Sequence, residues 1–180
     1  MSVPERWILR RRENAAFERQ FEGAAGNPAL DPVLARVLYA RNIDSPAAVE
    51  AFLSADGELD DPFHMADMAT AVARLSVALQ GHEPVVVYGD FDADGVCATT
   101  LLVSGLAALG AAVQPYIPDR FDEGYGLNSE ALERLWRGGA GLVVTVDCGI
   151  RSVAEAVYAR ELGLDLIITD HHSLASELPP

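Results

Sequence analysis

Apolar positions follow two different spacings along the chain. In the first ~80 residues the recurrence is helical. Residues 31–41 (DPVLARVLYAR) place Val33, Leu34, Val37 and Leu38 on one helical face. Ser45 and Pro46 open a second short helix, with Ser45 as N-cap and Pro46 in the first turn, running to about Leu53. Residues 67–80 repeat Met68, Val72, Leu75 and Leu79 at helix spacing. The first 25 residues show weak periodicity and lead into the Gly-rich stretch Gly23–Pro28; a second loop holds Gly57, Asp60, Asp61 and Pro62.

After Pro84 the pattern changes. Val85–Tyr88 is a short β-branched run bounded by Gly89, which reads as a buried strand. Residues 95–109 follow as an apolar helix and 112–117 as a strand. Asn128 caps a helix through about Trp136, ended by Gly138-Gly139. Then come a strand at 142–146, a helix at 152–162 and a strand at 164–169. Strands alternating with helices imply βαβ units and a largely parallel sheet. The expected organisation is an N-terminal helical segment, residues 1–80, followed by an α/β domain, residues 81–180.

Each strong strand leads into acidic or imidazole groups. The first enters Gly89-Asp90-Phe91-Asp92-Ala93-Asp94-Gly95, the second Asp147-Cys148-Gly149, the third Asp170-His171-His172. Parallel strands place these termini at one sheet edge, where open α/β folds bind ligands. Carboxylates gathered there repel one another and stay ionised at neutral pH only if cations offset them. The set is rich in oxygen, with imidazole and no paired thiolates, which favours Mn²⁺ or Mg²⁺ over structural zinc. Shared carboxylates also suit a two-metal site of the kind used in phosphoryl chemistry.

Composition narrows the choice of chemistry. All 13 basic residues are Arg, so a phosphate loop built on Lys and a Schiff-base mechanism are both excluded. The net charge of −14 disfavours bulk nucleic-acid binding unless cations intervene or basic groups cluster. Five Arg lie within the first 20 residues, against three Glu. Two Cys make neither a disulfide framework nor a zinc site. No apolar run has the character of a signal peptide or membrane span, so a cytoplasmic setting and no membrane partner are expected.

Simpler readings compete with the metal site. The Asp-x-Asp-x-Asp-Gly run resembles a calcium loop, but its twelfth position is Leu101 rather than Glu, and a strand precedes it. A lone strand-end Asp is often only a turn former or helix cap, but three such clusters in register weaken that reading. His171 reads as a ligand; His172 reads as a phosphate contact or a support for a ligand. Cys148 reads as a buried filler and Cys97 as core; His64 and His82 read as surface residues, and Trp7 and Trp136 as packing groups. The segment Ile117–Asn128, with glycines around Tyr125, is either an ordered connection or a place where Arg120 and a helix N-terminus hold a phosphate.

Tyr88–Gly95, Val146–Ile150 and Thr169–His172 resemble the first three motifs of the DHH phosphoesterase superfamily. The Ile117-Pro-x-Arg-x-x-x-Gly-Tyr-Gly-Leu127 segment, and the helical prelude with Asp67-Met68, are similar to the RecJ-like single-strand-specific DNA exonucleases within it. The resemblance covers roughly residues 30–180. It implies Mn²⁺- or Mg²⁺-dependent hydrolysis of single-stranded DNA from the 5′ end in recombination and repair, with a single-strand-binding protein and a helicase as partners. It also implies Asp92, Asp94, Asp147 and His171 as metal ligands, with Asp147 bridging two metals and Asp90 close by. Asp170 and His172 would support the metal or the scissile phosphate. Such proteins continue past the third motif, so the sequence, ending at Leu178-Pro-Pro180, reads as an N-terminal fragment of a catalytic core. The rivals are a DHH phosphoesterase acting on short oligonucleotides, cyclic dinucleotides or pyrophosphate, and a noncatalytic DHH-like binding module.

Overall fold

The computed structural model describes residues 15–19, 21, 30–54 and 60–180. The chain divides into two compact units, 1–61 and 62–180. In the first, the helices are α1 (Ala15–Arg19), α2 (Pro32–Ala40) and α3 (Pro46–Ser54). Asp31 caps α2, its Oδ1 accepting the Val33 amide at 2.7 Å, with Pro32 at the first helical position. The core here is Phe17, Phe21, Ala35, Leu38 and Val49. The expected stripe on α2 is therefore shifted: Ala35 and Leu38 are buried, whereas Val33, Leu34 and Val37 are exposed. The small Ala35 lets the helix approach two Phe rings, and these form the apolar surface that α2 packs on. Trp7 lies outside the described residues.

The second unit begins with a 3₁₀ turn, Pro62–His64, and α4 (Met68–Gly81). Then follow β1 (Val85–Tyr88), α5 (Ala93–Ala108), β2 (Val113–Tyr116), α6 (Ser129–Arg137), β3 (Leu142–Val146), α7 (Val153–Leu162) and β4 (Asp165–Thr169). The helix expected to close a separate helical prelude belongs with the sheet: Leu75 and Ala78 of α4 pack against Val85 and Leu142. Val72 falls outside that buried stripe and is exposed.

All four strands are parallel, in the order β2-β1-β3-β4. β1 and β3 are central and buried along their whole length, which explains their largely apolar runs. Alternate residues feed two cores. Val85, Val87, Leu142, Val144 and Val146 face α4 and α5, whereas Val86, Tyr88 and Val143 face α6 and α7. β2 is an edge strand, where Pro115 costs no ladder bond. At the strands' N-terminal end, Arg74 of α4 holds Glu83 at 2.7 Å and Asp165 at 2.5 Å, tying α4 to the starts of β1 and β4. The charged partners raise the affinity of the Arg74 guanidinium for its proton.

The order matters for function. The chain leaves β1 through α5 on one face and leaves β3 through α7 on the other. Neighbouring strands whose connections diverge in this way leave a crevice at their C-terminal ends. The acidic clusters lie there.

Candidate metal centre

α5 approaches the chain after β1 so closely that two positions exclude any side chain. A Cβ on Gly95 would sit 2.6 Å from the Asp90 backbone, and one on Gly89 would overlap the Thr99 hydroxyl. This contact folds Asp90, Asp92 and Asp94 into one short turn. Asp92 caps α5, its Oδ1 accepting the Gly95 amide at 2.9 Å. Asp90 is buried and its Oδ1 accepts the Phe91 amide at 2.7 Å. Burial pushes the Asp90 carboxyl up, and the nearby charges of Asp92 and Asp147 add to this against the Phe91 amide. Asp94 points outward, with Oδ2 3.6 Å from His171 Nε2.

After β3 the chain turns sharply. Asp147 has φ 62°, a left-handed conformation that side-chain-bearing residues rarely take, and Gly149 follows at φ 107°. The Asp147 amide donates to Thr169 O at 3.1 Å, which ties this turn to the end of β4. Asp147 is 8% exposed. Its Oδ1 lies 2.8 Å from His171 Nε2 but receives no hydrogen bond of acceptable geometry. It is thus a buried carboxylate oxygen without a donor, a costly arrangement that a cation would relieve. Cys148 is buried, with its thiol pushed up to about 12 by burial and by the charges of Asp170, Asp90 and Asp147.

Asp170 supports the loops rather than joining the donors. Its side chain is almost fully buried, its Oδ2 accepts the Ile150 amide at 2.9 Å, and its Oδ1 accepts the His172 amide at 3.0 Å. His172 Nδ1 lies 2.7 Å from the same oxygen. Burial opposes ionisation of Asp170, but these donors outweigh it and hold the carboxyl below its ordinary range. The same contact raises His172. With Nδ1 engaged, the ring presents Nε2 to the site, 3.4 Å from the Tyr125 hydroxyl.

Two groups of donors result. Asp90, Asp92 and Asp147 offer ligand atoms all within 4.8 Å of one another, and so do Asp147, His171 and His172. Asp147 belongs to both. Three carboxylates in one group, and a carboxylate with two imidazoles in the other, suit divalent cations that prefer oxygen and nitrogen. The donor chemistry and the orphaned Asp147 oxygen therefore fit a metal.

Of the residues expected from sequence, the structure gathers Asp90, Asp92, Asp147, His171 and His172, with Asp94 adjoining His171. Asp170 is turned to the loops, and Arg120 stands at the rim, its guanidinium carbon 4.8 Å from the Phe91 ring centroid. Cys97, expected in the core, is exposed on the outer side of α5. Sequence reasoning missed Tyr125, whose ring meets Phe91 edge-on at 6.3 Å and His172 at 6.2 Å. The flanking glycines were the available signal.

Compared with known protein families, residues 84–180 match the DHH family, N-terminal domain. The chain belongs to the DHH family. Among curated relatives, it is 44% identical over 151 residues to the single-stranded-DNA-specific exonuclease RecJ of Bacillus subtilis (strain 168), a match covering 83% of this chain and 19% of the relative. Among solved structures, it resembles exonuclease RecJ bound to manganese, with a TM-score of 0.58 and 45% identity over 62% of this chain and 29% of that one. RecJ from Thermus thermophilus, in complex with Mn²⁺, gives a TM-score of 0.63 and 33% identity over 93% of this chain and 23% of that one. The chain thus spans less than a third of the length of these RecJ proteins. Its parallel α/β fold agrees with the α/β parallel-sheet core expected from sequence.

Proposed function

We propose that this chain carries the metal-binding core of an exonuclease that hydrolyses single-stranded DNA from the 5′ end, in recombination and repair. The observation that carries this reading is the pair of donor groups sharing Asp147 at the crevice between β1 and β3. RecJ relatives named for single-strand exonuclease activity, and RecJ structures holding manganese, support it.

In this reading Asp90, Asp92 and Asp147 hold one Mn²⁺ or Mg²⁺; Asp147 and His171 hold a second, with Asp94 beside His171. Divalent ions here would polarise a phosphodiester and offset charge on the departing oxygen. The protein's own part is orientation. Asp170 fixes the His172 ring through Nδ1, leaving Nε2 toward the phosphate. The Asp147 amide, bonded to Thr169 O, keeps the second and third clusters in register. Arg120 on the rim offers a cation to the DNA backbone, which the acidic body otherwise repels. A cytoplasmic location, a single-strand-binding protein and a helicase complete the reading. Among the described residues no helix is long and apolar enough to cross a membrane.

The test is hydrolysis of labelled DNA with Mn²⁺ added or chelated. Release of mononucleotides from long single strands, but not from duplex, is expected. Turnover confined to dinucleotides or cyclic dinucleotides would assign the core to another phosphoesterase. A stable metal-free fold with no hydrolysis of any of these by the full-length protein would assign it to a binding module.

A further inference from the structure

The segment joining β2 to α6 is more rigidly built than a connection requires. Asp119 Oδ1 accepts the amides of Phe121 at 2.8 Å and Asp122 at 3.2 Å, closing a turn. Glu123 locks that turn to the fold: its carboxylate accepts the Asp119 amide at 2.8 Å, the Tyr116 hydroxyl at 2.6 Å and the Arg134 guanidinium. One side chain thus ties the loop to both β2 and α6. A second anchor lies just beyond. The buried Tyr88 hydroxyl donates to Gly126 O at 3.0 Å and accepts from Asn128 Nδ2 at 3.1 Å.

Between the anchors stands an arch, Gly124-Tyr125-Gly126, with both glycines left-handed at φ 77° and 82°. Tyr125 is 59% exposed, so little packing holds it. Its ring nonetheless meets Phe91 from the first cluster and His172 from the third. The anchored backbone must therefore set its position, and the two glycines would let the arch swing if one anchor failed.

We infer that Glu123 is a positioning residue for the rim of the metal centre, holding Tyr125 against His172 and Arg120 over Phe91 through its clamp on Tyr116, Arg134 and the Asp119 amide. An isolated surface ion pair with Arg134 would do little. The clamp differs because the Glu123 side chain is only 17% exposed and unites three donors from separate elements. For DNA binding, the consequence rests on the function proposed above: a loosened rim would hold a single strand less well, while the metal donors, none of which lies on this loop, would be unaffected.

The test uses the 180-residue chain with Glu123→Ala and Glu123→Gln, and Glu133→Ala as control, since Glu133 pairs with Arg137 along the same helix. Three quantities are read: the nuclear Overhauser contact between the Tyr125 and His172 rings, exchange of the 119–126 amides, and manganese affinity. In Glu123→Ala the ring contact should vanish and exchange of the Asp119 amide should rise at least about tenfold, with manganese affinity unchanged. Glu123→Gln keeps one acceptor and should fall between, and Glu133→Ala should match the parent. A ring contact that persists in Glu123→Ala, or manganese affinity that falls with it, overturns the inference. Binding of a deoxythymidine hexamer with Mn²⁺ present then separates the two readings. A parent chain that ignores the hexamer fails the proposed function, and the ring contact alone then decides the role of Glu123. A hexamer bound equally by the parent and Glu123→Ala overturns the role given to Glu123.

Discussion

Replacing Gly95 by Ala adds one methyl where α5 meets the backbone after β1. That methyl would lie 2.6 Å from the N, O and Cβ of Asp90. Comfortable carbon contacts begin near 3.5 Å, so the helix and the turn must part by about 1 Å. Forcing a methyl into a packed site costs about 1–3 kcal/mol, and the better helix propensity of Ala returns about 1 kcal/mol. A net loss of about 0–2 kcal/mol should lower the melting temperature by up to about 8 °C. The larger effect falls on the metal donors. Asp90 lies on one side of the opened contact and Asp92 caps α5 on the other, so donors now within 4.8 Å of one another are displaced by about a fifth of that span. Displacements near 1 Å in such constellations cost about 10- to 100-fold, and manganese affinity measured by calorimetry should fall on that scale. Gly105→Ala is the control: it lies in the same helix with no atom near the added methyl, and should melt higher by about 2–4 °C with unchanged manganese binding. If Gly95→Ala bound manganese like the parent and melted with Gly105→Ala, the close approach of α5 would not be what sets the first cluster.

Other substitutions probe the remaining parts. Asp147→Asn should abolish manganese binding, because Asp147 belongs to both donor groups, while the metal-free protein melts no lower than the parent, since Asn also accepts φ 62° and relieves repulsion among the carboxylates. Asp147→Ala should unfold more readily than Asp147→Asn by about 1 kcal/mol in urea denaturation, the cost of that backbone conformation without a short polar side chain. Manganese at a hundred times its Kd should stabilise the parent by about 2.7 kcal/mol and raise its melting temperature by about 5–10 °C, an effect that Asp147→Asn loses. Arg74→Ala should destabilise by about 1–2 kcal/mol, discounted for the exposure of Asp165, yet leave manganese affinity intact, because its partners lie at the other end of the strands.

The central strands were the most legible part of the fold. β1 and β3 run from Val85 to Tyr88 and from Leu142 to Val146 as the apolar runs imply, because burial on both faces favours apolar residues; the one hydroxyl in β3, of Thr145, is satisfied by Cys148 O. The strand-end clusters were legible because each follows directly on an apolar run, although Asp90 and Asp147 are themselves buried. The order β2-β1-β3-β4 was not, since alternation implies parallel strands without saying which are neighbours. α1 was missed because a five-residue helix is too short to show a period. Stripes on α2 and α4 were misplaced where Ala rather than Val faces the core, a choice set by how closely neighbouring elements approach. At the site, residue types pointed to the candidate donors, but three features depend on backbone geometry that no spacing reveals. These are the left-handed Asp147, the turning of Asp170 toward the Ile150 amide, and the placing of Tyr125 beside His172.

The most direct test of the metal centre is a titration of the ¹⁵N-histidine-labelled chain with Mn²⁺, followed by nuclear magnetic resonance. The chain has four His residues, two in the cluster and two, His64 and His82, outside it. Bound paramagnetic manganese should broaden the ring signals of His171 and His172 at substoichiometric metal, leave His64 and His82 sharp, and lose this selectivity in Asp147→Asn. Equal broadening of all four rings, or selective broadening that survives Asp147→Asn, would contradict a metal centre built on Asp147.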